Sequence, residues 1–189
     1  NSYTAAIPIA TGLSFTTAIT NQSVYLFNTG TRDQWKKLNG ATTAGLASGQ
    51  YLSVPIHPAG SGDLPAVIPS MHAFLIQADQ ATNLQISYDK LVKNELVKDA
   101  AGNEIATRST SQKLPYLMVD VIGEGSVDRV RFFRAKNTTA GFDSGWDGRK
   151  WMEEGIAQLY VATLDQDALQ VSTVPDFNSI VLGFIPAVD

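Results

Sequence analysis

The sequence contains no cysteine, which excludes disulfides, thiolate metal sites and cysteine nucleophiles while leaving the compartment open. Histidine is nearly as scarce: only His57 and His72 occur. Neither stands in a metal-ligand spacing such as His-x-x-x-His or beside a Gly-x-Ser-x-Gly elbow, so histidine-based catalysis is disfavoured. Nowhere do about 18 apolar residues run together, so no stretch reads as a membrane-spanning helix. Basic residues are few and scattered. With 14 Lys and Arg against 18 Asp and Glu, the net charge is −4, and the basic footprint that a phosphate backbone requires is missing. Nucleic acid is therefore not an expected partner. Helical periodicity is also rare, as are low-complexity segments and repeats of fixed period.

Short strand-like runs fill most of the 189 residues, of which 44% are hydrophobic. Ser23 to Phe27, Gln50 to Val54, Met71 to Ala78 and Asn83 to Tyr88 are rich in β-branched and aromatic residues and end at turn residues or proline. Tyr116 to Ile122 and Asp128 to Arg134 flank Gly123-Glu124-Gly125-Ser126 and read as a hairpin. Ile156 to Leu164 and Ala168 to Val174 are separated by Asp165-Gln166-Asp167, and a last strand is expected within Ser179 to Ile185. Two segments depart from the strand pattern. Arg32 to Asn39, closed by Gly40, suits one or two helical turns, and Tyr88 to Lys98 suits a strand pair or a short helix. The expected architecture is a single all-β domain over residues 1–189, a two-sheet antiparallel β-sandwich of jelly-roll type with one or two short helical turns. Because the chain begins with Asn1, it reads as a processed product or a fragment.

Candidate chemistry is thin. The carboxylate pairs Glu153/Glu154 and Asp165/Asp167 would serve glycoside hydrolysis only if two such groups converged across a cleft. Adjacent strand residues point to opposite faces, and Asp-x-Asp at a turn ordinarily serves the turn itself. The most distinctive stretch is Gly141-Phe142-Asp143-Ser144-Gly145-Trp146-Asp147-Gly148-Arg149-Lys150-Trp151. Asp143, Asp147, Gly148 and Glu154 fall on positions one, five, six and twelve of an EF-hand loop, but Gly145 lacks a ligand at position three and Lys150 replaces the apolar residue at eight. Asp143 and Asp147 are the candidate ligands of a hard cation such as calcium in some other geometry; the competing reading makes them turn formers. Trp35, Tyr51, Trp146 and Trp151 are the candidate ligand-binding aromatics, because sugar rings stack on exposed Trp and Tyr. For each of them the alternative is a place in the core.

Several of these strings share one resemblance. Val127-Asp128-Arg129-Val130-Arg131-Phe132-Phe133, then Asn137 to Lys150, then Gln158-Leu159-Tyr160, resemble a segment recurrent in large secreted and cell-surface proteins of Bacteroidetes. There it belongs to a β-rich module, often next to a type IX secretion sorting domain. Val67 to Ile76 resembles the strand of these modules with the pattern Ile-Pro-x-Met-x-x-Phe, and Val181 to Phe184 resembles their closing strand. The chain departs from the pattern at Ile156-Ala157-Gln158-Leu159-Tyr160, where Ala-Pro-Gln-Leu-Tyr is expected, and no sorting domain follows Asp189. The resemblance brings no catalytic residues to carry over. It implies a secreted or outer-surface location and neighbouring domains in a larger chain.

The resulting expectation is a non-catalytic module for adhesion, or for binding a glycan or surface protein, with no cofactor unless calcium occupies the Asp143/Asp147 loop. The alternatives are a glycoside hydrolase or lyase using acidic residues, and a structural spacer or filament subunit.

Overall fold

The computed structural model describes residues 1–29, 49–93, 113–123, 126–178 and 180–187. The expected helical turn at Arg32 to Asn39, the second half of Tyr88 to Lys98 and the centre of the Gly123–Ser126 turn lie outside the described residues. In chain order the strands are β1 (Ala5–Pro8), β2 (Leu13–Phe15), β3 (Ser23–Phe27), β4 (Tyr51–Pro55), β5 (Val67–Ile68), β6 (Phe74–Leu75) and β7 (Leu84–Ile86). They continue as β8 (Val92–Lys93), β9 (Tyr116–Gly123), β10 (Ser126–Arg134), β11 (Gly148–Arg149), β12 (Gln158–Ala162), β13 (Ala168–Val174) and β14 (Leu182–Ile185). One helical turn, α1 (Ile9–Gly12), and one 3-10 turn (Tyr88–Lys90) accompany them. The fold is all-β, as the sequence pattern requires.

The largest sheet runs β14-β12-β13-β10-β9, with β11 also paired to β13. Three smaller sheets, β4-β3-β6, β5-β1-β8 and β2-β7, come from the N-terminal half. Every pairing among the described strands is antiparallel except one. β10 and β13 run parallel, with Arg131 opposite Val171 and Phe133 opposite Thr173. A parallel neighbour needs a crossover connection, and residues 135–167, which carry β11 and β12, provide it.

β10 lies inside this sheet and buries side chains on both faces, so its sequence lacks simple alternation. Phe133 joins Ile7, Ile9, Val24, Leu26, Val54, Ile68 and Val171 in one core cluster, which lies between the large sheet and the smaller ones. Its neighbour Phe132 points the other way, into a second cluster with Val130, Leu159, Val161 and Leu169, against which Phe142, Phe177 and Ile180 pack. Adjacent strand residues face opposite sides, so the dipeptide Phe132-Phe133 serves both layers.

A side-chain amide joins the layers. Ser53 N–H on β4 donates to Gln170 Oε1 on β13 at 2.6 Å, and Gln170 Nε2 donates to the Tyr51 carbonyl at 3.2 Å. Gln170 thus substitutes for a missing strand along that flank of β4. Gln170→Ala strands a buried backbone N–H, which costs about 1–3 kcal/mol. A urea titration should show the midpoint falling with the slope unchanged.

Candidate functional site

Two aromatic residues that stand a hundred positions apart in sequence meet on one surface. Phe27 and Tyr51 are direct cross-strand partners in the β3–β4 register, and their rings pack edge to face with centroids 5.2 Å apart, a pairing that stabilises antiparallel strands. Trp151 follows β11, where the Lys150 N–H donates to the Ala168 carbonyl at 2.8 Å and fixes the backbone. From there the indole lies 5.5 Å from the Tyr51 ring and 5.8 Å, edge-on, from Tyr25. Tyr25 is buried, and its hydroxyl accepts a hydrogen bond from Asn21 Nδ2 at 2.7 Å. Trp151 itself remains 45% exposed. A buried tyrosine supporting a half-exposed tryptophan makes a rigid apolar platform at little further cost in side-chain entropy.

The other aromatic candidates are elsewhere. Trp146 packs on the imidazole of His57 at 4.7 Å and lines a cleft of about 630 Å³ with Lys113, Arg134 and Lys136. Burial lowers the His57 pKa, so this ring stands neutral against the indole. Trp35 lies outside the described residues.

Asp143 and Asp147 are both engaged by their own loop. Asp147 is fully buried; its Oδ2 accepts the Asp143 N–H at 2.7 Å and its Oδ1 the Thr173 N–H at 2.6 Å. Asp143 Oδ2 accepts from the Thr139 N–H and, at 3.1 Å, from the Thr139 hydroxyl. Between them Gly145 takes a φ of +77°, and a Cβ there would stand 2.9 Å from the His57 ring, so glycine suits this position on both counts. Among the described residues, no group of three or more His, Asp or Glu is placed to hold a metal ion.

Burial pushes the Asp147 carboxyl up to about 7, while the hydrogen bonds from Asp143 and Thr173 pull it down and the Asp143 and Asp167 charges add to the rise. Between about pH 4 and 7 the folded chain therefore holds a proton that the unfolded chain releases, and stability falls as pH rises through that window. A shift of this size corresponds to about 4 kcal/mol across the window. Urea midpoints measured at intervals from pH 4 to 8 should show the decline, and Asp147→Asn should flatten it.

Of the carboxylate pairs, Asp167 is bound by Arg149 through Nε at 2.9 Å and Nη2 at 3.0 Å, and the Arg149 guanidinium also lies 3.8 Å above the Phe142 ring. That carboxylate is committed to an ion pair.

A second feature escaped the sequence reading. Phe27, at one end of the aromatic row, also lines a cleft of about 350 Å³ with Asp63, His72, Arg129 and Arg131. Arg131 is buried and holds Asp63 through Nε at 2.6 Å and Nη2 at 2.7 Å. Its Nη1 is buried and has no hydrogen-bond partner among the described residues. The signal was present in the sequence: Arg129-Val130-Arg131 puts two guanidinium groups on one face of a strand.

No family model matches the chain, and no solved structure matches it significantly. The chain is similar to a segment of the minor fimbrium subunit Mfa5 of Porphyromonas gingivalis. Over an alignment of 190 residues the two are 48% identical, covering 97% of this chain and 15% of Mfa5. That organism is one of the Bacteroidetes, the group whose surface modules the sequence resembles. The chain thus spans about a seventh of the length of this relative.

Proposed function

We propose that this chain is a non-catalytic module of a bacterial surface or fimbrial protein, and that it binds a glycan ring on the Tyr51–Trp151 platform. The observation that carries this reading is the half-exposed Trp151 braced by Tyr25 and Tyr51, since a fixed exposed indole is a ready stacking surface. Similarity to a fimbrium subunit supports a location outside the cell, within a larger chain or assembly.

A glycan array probed with the 189-residue chain, with calcium and again with chelator, tests the reading. Binding is expected in both conditions, and Trp151→Ala should weaken it by about 2 kcal/mol or more, about thirtyfold in affinity. Wild-type binding that Trp151→Ala leaves intact would count against the platform. Measurable turnover of a polysaccharide, abolished by changing Glu154, would favour a glycosidase instead.

One further observation favours a structural role in assembly. β14 is an edge strand of the large sheet, and Val181, Leu182, Phe184 and Ile185 are all exposed there, Phe184 by 52%. An apolar edge of this kind is a template for a neighbouring strand. Concentration-dependent self-association lost in Phe184→Lys would support the spacer or filament reading.

A further inference from the structure

The basic residues of this fold divide into two groups. Among the residues whose side chains are described, most lysines and arginines are held by a carboxylate. Arg129 pairs with Asp120 and Asp63, Arg131 with Asp63, Arg149 with Asp167, Lys150 with Asp128 and, on the surface, Lys90 with Asp89. Lys113, Arg134 and Lys136 are left over: all are exposed, and none forms an ion pair among the described residues. Those same three line one cleft, the cavity of about 630 Å³ beside Trp146, and no acidic side chain is among the described residues that line it. In a chain of net charge −4, a general excess of basic residues does not explain the grouping. Fold stability does not explain it either, because like charges facing one cleft repel one another.

The backbone that carries this lining is fixed. The Arg134 N–H donates to the Pro115 carbonyl at 3.0 Å and the Ala135 N–H to the Val174 carbonyl at 3.0 Å, which ties the end of β10 to the residue before β9 and to the end of β13. Trp146 is held at both of its backbone groups. Its N–H donates to the Asp143 carbonyl at 3.0 Å, and its carbonyl accepts the Thr173 hydroxyl at 2.8 Å. The half-buried indole, backed by the His57 ring, joins Pro115 and Pro175 as the apolar part of the lining. A partner therefore meets rigid apolar surface together with three mobile cations, and little backbone order has to be gained on binding.

The chemistry of the lining selects its occupant. Lysine and arginine side chains donate hydrogen bonds and accept none. A neutral sugar, whose hydroxyls both donate and accept, would leave all three charges uncompensated. A chain that carries carboxylates on either side of an apolar group satisfies the cations and the indole together. Clefts lined by one sign of charge also focus the field and draw in partners of the other sign, and Trp and Arg are enriched at the energetic centres of protein interfaces.

We propose that this cleft docks an acidic peptide segment of another protein, with an apolar or aromatic side chain against Trp146 and flanking Asp or Glu carboxylates on Lys113, Arg134 and Lys136. The site is separate from the Tyr51–Trp151 platform, and the inference is independent of what the platform binds.

Isothermal titration of the 189-residue chain with capped pentapeptides tests it. Each peptide has a central Phe, Tyr or Leu between two pairs of acidic residues, and each has a control in which Gln and Asn replace Glu and Asp. At low salt the acidic peptides are expected to bind saturably and at least about tenfold more tightly than their controls, and about 0.5 M salt should remove most of that difference. Lys113→Glu combined with Lys136→Glu should abolish the preference. Both side chains are exposed, so the urea midpoint of this double variant should stay close to that of the wild type. Trp151→Ala should leave peptide binding unchanged. Equal affinity for acidic and amide peptides would overturn the proposal, as would a preference that survives the double charge reversal. Failure of every acidic peptide to bind would also overturn it, and a sulfated oligosaccharide that binds instead and is lost in the double variant would assign the cleft to an anionic glycan.

Discussion

Asp63→Ala is expected to destabilise the fold by about 1–3 kcal/mol, the cost of leaving the buried Arg131 guanidinium without its hydrogen-bond acceptor, because the Asp63 side chain itself is 32% exposed. Asp63 accepts two hydrogen bonds from the buried Arg131 guanidinium and a third from Arg129 Nη1 at 3.1 Å. Burial alone would raise its pKa, but the hydrogen bonds and charges of Arg131 and Arg129 outweigh that and hold the carboxyl below its ordinary value. The sign of the pH effect follows. A carboxyl depressed in the folded state adds stability above its unfolded pKa near 4, and that contribution fades as pH falls through the lower folded value. Removing Asp63 leaves Arg131 charged and buried, with one nitrogen already lacking a partner. Chemical denaturation at pH 7 should show the loss in full, and the Asp63→Ala deficit should shrink in strong acid. A change below about 1 kcal/mol would mean that water in the cleft solvates the guanidinium as well as Asp63 does.

Phe133→Ala should be more severe, about 3–5 kcal/mol. Phe133 is 1% exposed and belongs to the cluster that joins the large sheet to the smaller sheets. Its ring lies 6.2 Å from that of Tyr116, and a Cβ on Gly62 would come within 3.3 Å of it. Because Gly62 has a φ of +58°, the backbone turn beneath the ring is set and has little freedom to collapse into a cavity. Leu164→Ala provides the contrast. That side chain is 90% exposed, so its truncation should change stability by less than about 0.5 kcal/mol. Similar effects at the two positions, measured by urea unfolding with matched slopes, would contradict the place of Phe133 in the core.

Local pattern carried much of this fold and little of its topology. β3 and β13 coincide with the runs Ser23 to Phe27 and Ala168 to Val174, and the β9–β10 hairpin follows its expected pairing. These segments contain enough β-branched and aromatic residues to declare themselves. β1, β5 and β11 are two to four residues long and exist because a partner strand lies alongside, which no local window reveals. The parallel contact between β10 and β13 is likewise a property of the crossover. At the candidate site, the residue types Tyr51 and Trp151 were legible, whereas their meeting depended on the β3–β4 register and on the anchoring of Lys150. Lys150 entered the sequence reading as a misfit to a calcium loop and as the end of the string that carries the family resemblance. Its pairing with Asp128 became visible when two strands distant in sequence were brought into one sheet.

In the function proposed above, Trp151 is the surface through which this module meets its ligand. Chemical-shift mapping of the tryptophan indole N–H signals during titration with a glycan identified on the array tests it most directly. A saturable shift of the Trp151 signal is expected, with that of Trp146, in its separate cleft against His57, left unmoved. Saturable binding that shifts Trp146 and leaves Trp151 unchanged would contradict it.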